Sequence, residues 1–149
     1  MKKEIKLYNV FFPFWMLMMI PTMWIFVIPV NFIVDSIVLL ICMKMLQIEG
    51  KKQFYKSNIL KLFAFGLLSD AIGSALLFVG VYILELGNIG DELYLTIPGL
   101  IIAGVCIFLF DYFIALRKSD KAVRFKIALT FAIATAPYTF LIPSSWIYR

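Results

Sequence analysis

From Leu7 to Leu46 the chain runs for forty residues with only Asn9, Thr22, Asn31, Asp35, Ser36 and Lys44 as clearly polar interruptions. A soluble domain has no place for such a stretch, whereas a bilayer offers a hydrocarbon layer of ~30 Å that a helix of about 20 apolar residues crosses. Similar runs recur over 59–86, 94–116 and 127–146. Hydrophobic residues make up 63% of the chain and charged residues 15%, far from the soluble average, so the sequence reads as one all-α integral membrane domain over residues 1–149.

Charge placement then sets the number of spans. Lys2, Lys3 and Lys6 precede the first apolar run, Lys44, Lys51, Lys52, Lys56 and Lys61 surround the next connection, and Arg117, Lys118, Lys121, Arg124 and Lys126 form a third cluster. Basic flanks mark cytoplasmic loops, so the chain must cross an even number of times between the first two clusters. Two short spans satisfy this, about 7–21 and 30–46, with a turn at Thr22–Pro29 where Trp24 anchors at the far interface. Lengths of ~22 and ~25 Å make them a proline-broken or re-entrant hairpin, divided by Pro13, Pro21 and Pro29. The remaining spans are about 59–86, 94–116 and 127–146. A turn free of basic residues, Gly87–Glu92, faces outside, and Trp146 and Tyr148 mark the outer interface near the C-terminus. The result is a compact bundle of five transmembrane helices in the cell membrane, N-terminus cytoplasmic and C-terminus outside. A four-span alternative, with one tilted helix from about Thr22 to Leu46 and an external N-terminus, strands three lysines on the wrong face. The lysine-led N-terminus superficially follows a secretory signal, but it lacks a small-residue cleavage site and its apolar run is too long, so it is expected to stay in the mature chain.

Two aspartates stand inside these runs. Asp35 lies eleven residues before Leu46 and Asp70 eleven after Ile59, so on helices both carboxylates fall roughly 16 Å from the connecting loop, near mid-membrane. Asn31 stacks one turn from Asp35, and Ser69 and Ser74 flank Asp70. A bare carboxylate in hydrocarbon is costly, so each must be neutralised by a proton, satisfied by hydrogen bonds, or bathed by water or a cation. The functional reading is a proton or cation site made of Asp35, Asp70, Asn31, Ser69 and Ser74. The structural reading has the same carboxyls tying helices together. Asp111, five residues from Leu116, is expected to pair with Arg117 or Lys118, and Lys44 to snorkel to the interface.

Gly66, Gly73, Gly80 and Gly87 recur every seven residues with Asp70 on the same helical stripe, which lets another backbone approach. Gly66, Gly73 and Gly80 are therefore packing candidates; Ala128, Ala132 and Ala136 form a similar ridge, with Thr135 and Thr139 as possible cross-helix hydroxyls. Phe11, Phe12, Phe14 and Trp15 around Pro13 could line an apolar pocket, although an interfacial aromatic belt explains them equally well.

Enzyme chemistry finds little support. The chain has no histidine, which excludes Ser-His and Cys-His nucleophiles and imidazole metal sites, and it has no GxSxG, HExxH, GxGxxG or Walker pattern. Cys42 and Cys106 lack CxxC spacing and read as buried thiols. No metal and no cofactor is expected. The net charge of +5 sits in membrane-flanking loops, pointing to anionic lipid headgroups rather than nucleic acid. Two functions remain: a small transporter or channel-like protein binding a proton, cation or cationic solute at Asp35 and Asp70, or a non-catalytic accessory or scaffold subunit of a larger membrane complex. Either is expected to work as a homo-oligomer or beside another membrane protein in the lipid bilayer. Cysteine labelling in a background lacking Cys42 and Cys106 is expected to find positions 3, 53 and 120 cytoplasmic and 89 and 148 outside. Position 3 outside would replace five spans by four.

Overall fold

The computed structural model describes residues 21–84 and 92–136. Within them lie four α-helices: α1 (Trp24–Met45), entered through a 3-10 turn at Pro21–Met23, α2 (Lys51–Phe78), α3 (Glu92–Phe110) and α4 (Lys121–Ala134). No strand occurs among the described residues. α2 runs on into a π-helical turn at Val79–Ile83, and α3 into another at Asp111–Ala115. Three stretches, Pro21–Met45, Lys51–Phe78 and Thr96–Ala115, are long and apolar enough to cross a membrane. The protein is an all-helical membrane protein. The first proposed span with its lysines and Pro13 aromatics, Glu85, Gly87, the turn up to Asp91 and the chain beyond Ala136 lie outside the described residues.

Two boundaries differ from the sequence reading. The turn that the five-span reading expects at Thr22–Pro29 is replaced by continuous helix from Trp24, close to the single helix from about Thr22 to Leu46 of the four-span alternative. Pro29 is the sixth residue of α1, so it removes one hydrogen bond, to the Ile25 carbonyl, whereas a chain reversal there would unpair several backbone groups in hydrocarbon. The polar loop at 47–58 shrinks to five residues, because Lys51 to Asn58 already form the first two turns of α2. Nothing in that segment opposes a helix, and its polar side chains extend α2 beyond the apolar layer.

The reversal between α1 and α2 is closed by backbone geometry. Gln47 takes a left-handed conformation (φ 49°), its N–H bonds the Lys44 carbonyl, and the Ile48 N–H bonds the Met43 carbonyl at 3.2 Å. This is a Schellman closure. Ile48 folds back on the apolar core that contains Met43, and left-handed Gly50 (φ 63°) then opens α2. α2 and α3 run antiparallel in even register. Leu77 meets Gly99 near one end and Phe65 meets Phe110 near the other, with ring centroids 5.6 Å apart, eleven or twelve residues along each helix.

The main apolar core joins all four helices through Leu39, Met43, Ile59, Leu62, Ile107, Leu116, Ile127 and Phe131. It gathers at the end of the bundle that carries the basic residues. Large apolar side chains on the other helix faces, such as Ile25, Phe26 and Ile33 on α1 and Ile101 and Val105 on α3, are exposed, as lipid-facing residues should be.

Gly99, which the sequence stripe does not include, makes a tight contact between α2 and α3. A Cβ on Gly99 would lie 2.8 Å from both Cγ and Cδ2 of Leu77, whereas on Gly80 it would meet nothing within 4 Å among the described residues. Gly99→Ala should therefore cost about 1–3 kcal/mol by overpacking, and Gly80→Ala should be neutral or slightly stabilising. Unfolding of both variants in detergent checks the contrast; equal stabilities would show that α2 and α3 do not close at Leu77.

Candidate functional site

Each membrane helix buries one stripe, and each stripe contains one aspartate. On α1 the buried residues are Asp35, Leu39, Cys42 and Met43. Asp35 and Leu39 are four apart and Met43 four further on, so the carboxylate continues the face that enters the apolar core. On α2 the stripe begins apolar with Ile59 and Leu62, then becomes polar and small with Ser69, Asp70, Gly73 and Ser74. On α3 it runs in steps of four through Gly99, Ala103 and Ile107 to Asp111 and Ala115.

These stripes bring the acids toward one another. A Cβ placed on Gly66 would stand 3.6 Å from Oδ2 of Asp35, so the bare glycine backbone forms a notch that receives this carboxylate. Asp70 is one turn further along the same face of α2. Phe65, the neighbour of Gly66, packs on Phe110, the neighbour of Asp111, which sets the α3 acid at about the same level. Measured from exposed Lys44, Lys61 and Arg117 on their own helices, the three acids lie nine, nine and six residues into the membrane, roughly 14, 14 and 9 Å at the helical rise.

All three are enclosed: Asp35 is 5% exposed, Asp70 6% and Asp111 0%. Oδ1 of Asp70 and both carboxylate oxygens of Asp111 have no hydrogen-bond partner among the described residues. The ion pair expected between Asp111 and Arg117 or Lys118 is therefore absent, and both of those basic residues are exposed. α3 turns Asp111 inward, toward α2, while the two cations beyond it follow the chain out to the loop. Arg124 does not replace them. Its guanidinium stacks over Tyr112, 4.5 Å from the ring centroid, and its Nε is itself buried without a partner.

The other sequence-derived residues fall at different distances from chemistry. The Ser69 hydroxyl donates to the Phe65 carbonyl at 2.8 Å and so is taken up by its own helix. Ser74 and Gly73 are buried on the Asp70 stripe, and Asn31 is half-buried one turn from Asp35. Ser36, next to Asp35, shares a 2.9 Å hydrogen bond with Tyr55 and ties α1 to α2. Asp111 and Thr96, both buried, are polar residues that the sequence reading did not place in the site. The signal for Asp111 was its four-residue spacing from Ile107, Ala103 and Gly99. Cys42 and Cys106 are free thiols. Among the described residues no three His, Cys, Asp or Glu side chains stand close enough to hold a metal ion.

Comparison with protein-family models, with curated proteins and with solved structures finds no match to this chain. What the site does rests on its chemistry.

The Gly66 notch yields a direct test. Gly66→Ala adds only an ordinary contact with Asp35 and should fold with near-native stability, whereas Gly66→Leu should expel the carboxylate and lower stability by about 1–3 kcal/mol. Equal melting of the two variants would show that Asp35 does not seat there.

Proposed function

We propose that this protein is a small transporter or channel-like protein that binds a proton, cation or cationic solute at Asp35 and Asp70 within the membrane. The observation that supports this reading is the burial of the two carboxylates on facing helices, with an Asp70 oxygen left without a hydrogen-bond partner among the described residues. A purely structural acid has a cheaper solution in hydrocarbon, namely complete satisfaction by neighbouring donors, and removing such donors from reach costs several kcal/mol by the usual scale. An acid kept short of partners is suited to an exchangeable one. The proposed full arrangement has five spans, the N-terminus cytoplasmic and the C-terminus outside, with the first span ending before the continuous helical stretch Pro21–Met45. It is proposed to work as a homo-oligomer or beside another membrane protein, since one small bundle encloses little volume alone.

Asp70→Asn keeps shape and hydrogen-bonding capacity but cannot titrate. The folded variant is expected to lose the dependence of melting temperature on pH or on added cations seen in wild type, and Asp35→Asn is expected to resemble it. Thermal melting of the three proteins in nanodiscs decides the matter. No dependence in wild type, with both variants melting alike, would leave the scaffold as the better reading.

A further inference from the structure

We infer that Asp111 is the third carboxylate of this site and that the ligand the three acids exchange is the proton. The inference rests on the proposed role of Asp35 and Asp70 and extends it to a residue on a third helix. Its basis is geometric. Asp35 occupies the Gly66 notch, Asp111 follows the residue that packs on Phe65 beside that notch, and Asp70 lies one turn beyond it. By residue count Asp111 is the acid nearest the basic end of the bundle, with Asp35 and Asp70 at a common depth beyond it.

The surroundings of Asp111 favour a proton over any larger ligand. Hard metal ions take six or more oxygens at roughly 2.0–2.6 Å, and the described acidic side chains are not set for that. Among the described residues both Asp111 oxygens are enclosed and lack partners, so a ligand that neutralises them there must need almost no room. Among the described residues the charged and titratable groups toward this region are Asp35 from α1, Asp70 and Tyr55 from α2, Tyr112 beside Asp111, and Arg124 from α4. Tyr55 is engaged with Ser36, and Arg124 lies over Tyr112 without bonding either Asp111 oxygen. None of these described groups is a cation bonded to Asp111.

The transfer balances without a co-reactant. A proton arriving from the aqueous phase forms an O–H bond on one terminal carboxylate. That bond breaks as another forms on Asp35, and the step repeats to the remaining acid, which releases the proton to the opposite side. Each transfer leaves one carboxylate where there was an acid, directly or through an intervening water. No electrons change hands.

Infrared pH titration of the full chain in nanodiscs tests this by following the carbonyl band of protonated carboxyl groups, with isotope-labelled aspartate identifying the band in wild type. Asp35→Asn, Asp70→Asn and Asp111→Asn are each expected to remove about a third of the buried aspartic signal, and Asp35→Asn should move the titration of both remaining acids, as coupled sites require. If Asp111→Asn leaves the amplitude and the midpoints of the others unchanged, Asp111 is not part of the site. The Asp35–Asp70 reading then stands as long as those two still alter each other. If no buried carboxyl titrates but sodium or tetraethylammonium shifts the melting temperature of wild type and not of Asp70→Asn, the proton is the wrong ligand and the pair survives. If neither probe acts, both readings fall. Should Asp111→Asn not fold, Asp111→Glu serves instead: it retains the band, and unchanged midpoints at Asp35 would overturn the inference.

Discussion

Hydrocarbon supplies no hydrogen bonds, and that one constraint governs where every polar atom of this bundle can sit. Backbone groups are satisfied within helices, even at the cost of carrying Pro29 through α1 rather than turning the chain. Hydroxyls follow the same rule, with Ser69 and Thr135 bonding carbonyls one turn back in their own helices. Carboxylates have no such local recourse, since an ionised acid only accepts. They must find one another, a donor or an exchangeable ligand, and the helix faces are arranged accordingly.

The bundle divides along its length. At the basic end Leu39, Leu62, Leu116 and Phe131 close the interior with apolar side chains. Farther along α2 the same face turns to Ser69, Asp70, Gly73 and Ser74, and α3 presents Thr96. Asp35 and Asp111 lie where one regime gives way to the other. An apolar core beside buried acids is the arrangement that the proposed exchange of a ligand at these carboxylates would need.

Much of this was legible in the sequence because membranes simplify the code. Apolar length marked the helices of the described region, and counting residues from the polar connection placed Asp35 and Asp70 at one depth before any contact was known. Asp111 escaped because proximity along the chain to Arg117 suggested a partner, whereas facing is decided by helical phase and not by sequence distance. The glycines show the same limit. Spacing by seven finds a stripe, but Gly66 opposes a carboxylate, Gly99, outside that stripe, opposes a leucine side chain, and Gly80 meets nothing among the described residues. What lies across from a glycine is a property of the neighbouring helix, which no single-helix pattern contains. The α1 start departs from the five-span reading, and agrees with the four-span alternative, for a related reason: a proline breaks a helix locally at less cost than the chain reversal that would replace it.

The wide turn at Asp111–Ala115 has a consequence for chain length. Residues that face one neighbour at every fourth position overrun a 3.6-residue helix by ~40° at each step, so a strict ladder from Gly99 to Ala115 would drift by roughly 160° on a straight helix. The bond from the Leu116 N–H to the Asp111 carbonyl, 2.9 Å and five residues back, takes up part of that drift by fitting an extra residue into a turn. Deleting one residue inside this turn would restore ordinary winding and leave everything before it in place. The same deletion a turn earlier would rotate Asp111 by about 100°, into the place where half-buried Phe110 meets Phe65, and break the ladder. The gene can thus lose a codon within this turn more easily than in the turn before it.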